Sequence, residues 1–182
     1  MTTNLYFVRH AHSVYTPDEW SRPLSEKGLQ DACTVTELLG RESIDHVISS
    51  PYKRAVQTVE GVGNDIELVE EFRERTLSDG PLADFASAIQ KVWQDEGFAW
   101  DGGESNAEAK ARGVKKTVEL LHTYAGKNIA IGTHGNIMVL IMNHFDPAYD
   151  FQFWQQLAMP DIYKLSFEGT ELTGVTRLGS FR

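Results

Sequence analysis

The sequence is first informative for what it is short of. It has a single cysteine, Cys33, which excludes a disulfide within the chain and a thiolate zinc site. Cys33 is therefore expected as a small buried residue on a helix. The longest early apolar stretch, Leu5 to Val8, is far too short to span a membrane. No basic segment precedes it, so no secretory leader is expected and a cytoplasmic location is the default. Positive charge is in deficit, with 17 Lys and Arg against 26 Asp and Glu and a net charge of −9. Phosphate backbones and acidic lipid surfaces want a basic face, so neither nucleic acid nor a membrane is expected as a partner. A small phosphorylated ligand is still compatible, because a few convergent cations make a positive pocket in an acidic protein. Glycine and proline are too scattered for a fibrous repeat, and there is no internal repeat, linker or low-complexity run.

What is present suits one domain, residues 1–182, with 41% apolar residues and length enough for a real core. Asn4 to Val8 reads as a strand, and it ends in the polar run Arg9-His10-Ala11-His12-Ser13. Ser25 is placed to cap a helix from Glu26 to about Leu39, with Leu29, Ala32 or Cys33, and Leu39 on its apolar face and Gly40 ending it. Ile44 to Ser49 is a short strand. Ser50-Pro51 looks like the start of a helix carrying Arg54, Ala55 and Val59. Ile66 to Val69 is a third strand, followed by the charged stretch Glu70 to Arg75 around Phe72. Leu82 to Gln94 reads as a helix with Phe85, Ile89 and Val92 or Trp93 on one side. A longer one, Glu104 to Tyr124, has Ala107, Ala111, Val114, Val118 and Leu121 as its stripe. Asn128 to Thr133 is a buried strand leading into His134-Gly135-Asn136, then a helix from Ile137 to His144. Asp161 to Phe167 and Glu171 to Leu178 form a hairpin. Strands interleaved with helices imply an α/β fold, a three-layer sandwich with a mainly parallel sheet and an antiparallel edge.

Two strands thus end in histidine-bearing loops, and a third precedes Arg54. In open α/β sheets ligands sit beyond the carboxyl ends of the strands, so parallel neighbours would bring these groups to one edge.

The same residues carry a resemblance. Leu5-Tyr6-Phe7-Val8-Arg9-His10-Ala11-His12-Ser13 resembles the opening strand and Arg-His-Gly signature of the histidine phosphatase superfamily, which has the phosphoglycerate-mutase-like fold. Four more segments follow in order: Pro23-Leu24-Ser25-Glu26-Lys27-Gly28, Ser49-Ser50-Pro51-Tyr52-Lys53-Arg54-Ala55-Val56-Gln57-Thr58, Gly103-Glu104-Ser105 and Thr133-His134-Gly135. The resemblance implies that His10 takes up the phosphoryl group as a phosphohistidine. It implies that Arg9 and Arg54 clamp the phosphoryl oxygens, that His134 donates to them, and that Glu74 is proton donor and later base. Ser50, Gly135 and Thr16 would line the phosphate site, with no metal or other cofactor, and the substrate would be a small phosphorylated metabolite.

These residue types suit the chemistry on physical grounds. A neutral imidazole is a good nucleophile near neutral pH. A planar guanidinium matches the oxygens of a phosphoryl group in transfer. One carboxyl group can protonate the leaving oxygen and then activate water. Three positions depart from the family pattern. Ala11 stands where glycine is usual, and a positive φ there would be strained. Thr16 stands where many members have asparagine, leaving a hydroxyl as donor. Ser21 falls where an acidic residue is common. Only 48 residues lie between Arg54 and Gly103, which resembles the compact phosphatase branch rather than the longer mutases.

Other readings remain open at this stage. They are mutase-type phosphoryl transfer, a non-catalytic phospho-ligand module, and a metal site of His10, His12 and Glu74. His46, His122 and His144 are expected to be structural. The aromatic patch Phe145, Tyr149, Phe151, Phe153 and Trp154 is expected as core, leaving a substrate wall or a homodimer contact open.

Overall fold

Strand β1 (Thr2–Arg9) encloses Leu5, Tyr6, Phe7 and Val8 completely. Continuous burial instead of alternation marks a strand covered on both faces. In the computed structural model, which describes residues 1–181, that cover is two layers of helix. The other strands are β2 (His46–Ser49), β3 (Ile66–Leu68), β4 (Asn128–Thr133), β5 (Asp161–Glu168) and β6 (Glu171–Arg177). They form one sheet in the order β3-β2-β4-β1-β5-β6. β1, β2, β3 and β4 run parallel, and β5 and β6 close one side antiparallel. The expected sandwich with its antiparallel edge is therefore the observed fold.

Each face of the sheet has its own apolar cluster. Helices α1 (Glu26–Gly40) and α2 (Lys53–Val59) bring Val35, Leu39 and Val59 against Tyr6, Val8, Val47, Ala130 and Ile162. On the other face α4 (Asn106–Thr123) and α5 (Gly135–Phe145) pack over Leu5, Phe7, Ile48, Ile129 and Ile131, with α3 (Phe85–Gln94) before α4 in the chain and α6 (Phe151–Gln155) after α5. A single 3-10 turn, Glu70–Phe72, drives Phe72 into that cluster, where its ring meets Phe7 edge to face at 6.2 Å.

The strand register has one consequence that matters for function. Arg9 pairs with Thr133 and Ser49 with Gly132. The pairing continues one step into the loops, with His10 N–H donating to the Thr133 carbonyl (3.0 Å) and Ser50 N–H to the Gly132 carbonyl (2.8 Å). Three loops leave the sheet side by side.

Several local expectations change. α1 buries Gly28, Ala32, Val35 and Leu39, leaving Leu29 and Cys33 exposed. Gly28 sets this rotation, because a Cβ there would lie 2.1 Å from the His12 carbonyl oxygen, so the glycine edge faces the loop. α2 begins at Lys53, with Tyr52 at its cap, and Ser50 is left free for other bonds. α3 starts at Phe85, which is exposed where an apolar face was expected. α4 is capped by Ser105 in a reciprocal box with Glu108. It buries Asn106, Ala109, Gly113, Thr117, Leu120 and Leu121, whereas Ala107 and Ala111 of the expected stripe are exposed. The inward face is the small-residue one because α5 lies close. A Cβ on Gly113 would come within 2.7 Å of Ile141 Cγ1. The aromatic patch, expected as core, is only half-buried: Phe145, Tyr149, Phe153 and Trp154 cover the rim of the α4–α5 cluster, with α6 running through the patch and Trp154 also facing the cleft.

Between Thr76 and Glu104 the chain makes an excursion closed at its neck. Glu104 N–H donates to the Thr76 carbonyl (2.8 Å), Thr76 N–H to Glu104 Oε1 (3.2 Å) and Asp79 N–H to the Asp101 carbonyl (3.0 Å). Arg112 of α4 secures the neck, holding both Glu104 oxygens and the carbonyls of Glu71 and Arg73.

Among the described residues no helix is long and apolar enough to cross a membrane. Phe72→Ala empties a fully enclosed site, and the expected cost is about 3–5 kcal/mol, measured as a drop in the urea midpoint with unchanged slope. A loss below about 1 kcal/mol would show that the turn is not anchored by this ring.

Candidate active site

Arg9 is the last residue of β1 and His10 follows it, and His134 caps α5 directly after β4. The two histidine rings meet edge to face at 5.1 Å, and the Tyr52 ring lies 5.2 Å from that of His134. His10 is buried and His134 completely so.

His10 Nδ1 lies 2.7 Å from the Ala11 carbonyl oxygen. A carbonyl only accepts, so Nδ1 carries the proton and Nε2 keeps its lone pair. Ala11 is buried, its N–H donating to Thr58 Oγ1 at 3.0 Å. Among the described residues the sole non-glycine at positive φ is Ser43, so alanine at position 11 meets no backbone strain. His134 Nε2 is 2.8 Å from Ser50 Oγ, which also accepts the Tyr52 N–H at 3.3 Å. This is the use to which Ser50 is put in place of a helix cap.

The charges around these rings are largely fixed. Arg9 Nη1 donates to the Ala158 carbonyl (3.2 Å), and Gly135 admits it, because a Cβ there would lie 2.9 Å from Arg9 Nε. Arg54 is buried and bonded to Glu19. Burial, reinforced by the charge of Arg54 and then Arg9 and Arg22, pushes the His10 imidazole down to about 3. Burial and the neighbouring charges hold His134 well below its ordinary range too. Both rings are neutral at physiological pH.

Glu74 sits at the start of α5. Its Oε2 accepts from Asn136 N–H (3.0 Å) and its Oε1 from Ile137 N–H (3.0 Å) and Arg75 N–H (2.8 Å). A helix N-terminus is a natural seat for a carboxylate. The next residue, Arg75, is buried between the amide oxygens of Asn106 and Asn136.

A cleft of about 680 Å³ opens beside these groups, lined by Arg9, Arg54, Glu74 and Tyr52 at one end and by Leu82, Phe85, Ile89 and Trp154 further out. Thr16 is not among its lining residues, and its hydroxyl donates to the Asp18 carbonyl at 2.9 Å. His12 is exposed and bonded to Ser25 Oγ. Among the described residues no three His, Cys, Asp or Glu side chains are grouped to hold a metal ion, so His10, His12 and Glu74 do not form such a site. Glu19, Arg22 and Arg75 also line the cleft, and nothing in the sequence pointed to them. The loop carrying Glu19 has no periodicity, and its return onto Arg54 is a tertiary event. His46, His122 and His144 are exposed.

No curated protein matches the chain. The family model described as histidine phosphatase superfamily (branch 1) matches residues 5–176. A solved mycobacterial hydrolase is similar, at 20% identity and a TM-score of 0.78, covering 100% of this chain and 98% of its own. So is a mycobacterial glucosyl-3-phosphoglycerate phosphatase, at 20% identity and 0.78, with 97% of each chain covered. A phosphoserine phosphatase variant from Entamoeba histolytica, bound to phosphoserine, reaches 18% and 0.78, covering 98% of this chain and 96% of its own. At such identities the likeness is one of fold.

The histidine shifts have a consequence for stability. The unfolded chain protonates its histidines near pH 6.5, while folded His10 waits until about 3. Between these values the unfolded state holds more protons, so the stability present above pH 6.5 is lost as pH falls through that window. His10→Asn keeps an N–H for the Ala11 carbonyl but cannot titrate. The wild type is expected to lose more urea-unfolding stability than this variant between about pH 7 and about pH 4.5. Parallel losses would mean that the ring is not held neutral by the fold.

Proposed function

The chain belongs to the histidine phosphatase superfamily, and from that premise we propose that it is a phosphomonoester hydrolase working through a phosphohistidine on His10. The observation that carries this reading is the His10 Nδ1 to Ala11 carbonyl hydrogen bond, which leaves Nε2 as the free nucleophilic nitrogen in the field of the buried Arg54 and the half-buried Arg9.

The proposed course is as follows. Nε2 of His10 attacks phosphorus, the bond to the ester oxygen breaks, and that oxygen takes a proton from Glu74. Water, deprotonated by the Glu74 carboxylate, then attacks the phosphohistidine and releases inorganic phosphate. To hold the proton, the Glu74 carboxyl gives up part of its contact with the N–H groups at the start of α5. Arg9 and Arg54 offset the charge spread over the equatorial oxygens. Arg9 Nε and His134 Nδ1 are buried without a hydrogen-bond partner. A buried donor left so costs about 1–3 kcal/mol, and a phosphoryl oxygen is the acceptor these two suit. Ser50 orients the His134 ring, Gly135 lets Arg9 approach, and Thr16 reaches the site only if its loop rearranges.

The cleft volume of about 680 Å³ fits a small phosphorylated metabolite. The similar solved phosphatases are named for different substrates, glucosyl-3-phosphoglycerate and phosphoserine, so their shared feature is the phosphomonoester and not the leaving group.

His10→Ala is expected to abolish turnover and to prevent trapping of labelled phosphate on the protein in a rapid acid quench. Full activity in this variant would overturn the assignment. Glu74→Gln is expected to slow hydrolysis of alkyl phosphates by about 10²–10⁴-fold and of p-nitrophenyl phosphate far less, because p-nitrophenolate leaves without a proton. Equal slowing of both substrates would remove Glu74 from the proton-donor role.

A further inference from the structure

The phosphate clamp already holds an anion of the protein's own. Arg54 donates from Nη1 to the backbone carbonyl of Glu19 (2.8 Å) and from Nη2 to its Oε2 (2.7 Å). The Arg54 side chain is 4% exposed and that of Glu19 50% exposed, so the carboxylate reaches in from the cleft mouth to a buried cation.

We propose that Glu19 is a tethered competitor of the phosphoryl group at Arg54. It occupies the clamp between turnovers, yields Nη2 to an incoming phosphoryl oxygen, and retakes it as inorganic phosphate departs. The proposal rests on the phosphatase reading of this cleft.

The loop carrying Glu19 is built to allow this exchange without moving its backbone. At its base Val14 N–H donates to the Pro23 carbonyl (2.8 Å), beside a bridge between Ser13 and Leu24. At its tip Lys53 N–H donates to the Trp20 carbonyl (2.9 Å), and the Trp20 ring stands on Tyr52 at 5.2 Å. Inside it the Asp18 carboxylate accepts from Trp20 N–H at 3.1 Å and from the Ser21 hydroxyl. The Glu19 carbonyl is thereby fixed against Arg54, and only the side chain is free to swing.

A second cation is ready to receive the displaced carboxylate. Arg22 Nη2 lies 3.3 Å from Glu19 Oε1 and 2.9 Å from the Thr16 carbonyl oxygen, with its guanidinium over the Tyr15 ring at 4.8 Å. Arg22 and Glu19 both line the cleft. Glu19 therefore bridges two arginines and can surrender one while keeping the other.

The exchange has a purpose in turnover. A buried guanidinium binds a dianion strongly, and product leaving it would abandon an unpaired buried charge, which is costly. A carboxylate waiting nearby removes that penalty, since it makes the same charge-assisted bond to the same fork. Glu19 thus weakens both substrate and product binding and speeds phosphate release. It acts through Arg54 and takes no part in bond making.

The test compares wild type with Glu19→Gln, which keeps the backbone carbonyl on Arg54 and the side-chain shape but lacks the charge. Calorimetric titration with inorganic phosphate is expected to show about tenfold tighter binding in the variant, and orthovanadate inhibition should sharpen in parallel. With p-nitrophenyl phosphate, KM and kcat should both fall. Unchanged or weaker phosphate affinity, together with a lower melting temperature, would reduce the pair to an anchor for the loop and overturn the proposal. Tighter phosphate binding in the variant with no phosphomonoester turned over by the wild type would uphold the competition and overturn the phosphatase reading. Absence of phosphate binding in both proteins would overturn both.

Discussion

The side-by-side pairing of β1, β4 and β2 is the constraint on which the site depends. Hydrogen bonds that begin as a parallel ladder run one residue beyond it, from His10 to Thr133 and from Ser50 to Gly132. His10, the proposed nucleophile, His134 and the Ser50 bonded to it are therefore positioned by sheet geometry and not by loop packing. Side chains mounted this way are held more rigidly than on free loops. α2 and α5 then start from the same edge, bringing Arg54 from one side and the N-terminus that seats Glu74 from the other.

Electrostatics follow from that placement. Burial, and then the cations crowded around the imidazoles, makes the rings' protonated forms unfavourable, so the neutral ring that the proposed nucleophile needs comes from the fold. The cost is a set of buried positive groups that need partners. The protein answers with anions drawn from different parts of the chain: Asp161 and Glu74 near Arg9, Glu74 beside Arg75, and Glu19 on Arg54. An acidic chain with a basic pocket is thus a local arrangement of charge within an opposite overall balance.

Much of this was legible in the sequence, for identifiable reasons. The strands and the two histidine loops could be read because buried strands are short apolar runs ended by polar residues, and the motifs there are local. Helix faces were harder. In α4 the apolar stripe misled, because close packing against α5 selects Ala109, Gly113 and Thr117 for size and not for hydropathy. In α1 the exposed Cys33 followed from the same cause, a glycine edge facing the His12 loop. Ser50 looked like a cap by type, and its bond to His134 depends on a partner 84 residues away. The roles of Glu19 and Arg22 depend on a loop folding back, for which neither periodicity nor motif gives a sign.

The closed neck at Thr76 and Glu104 has a consequence for how the protein can change. The outer wall of the cleft at Leu82, Phe85 and Ile89 is carried between this joint, which Arg112 keeps shut, and a second attachment, where Trp93 Nε1 donates to Asn136 Oδ1 and Glu96 accepts from Ala107 N–H and Lys110. Glu74 lies on the sheet side of that joint, tied to α5. The wall is accordingly an exchangeable module. Its length and lining can drift or be replaced while the distances that matter for bond breaking stay as they are, so a lineage carrying this joint can acquire new substrates without rebuilding its chemistry.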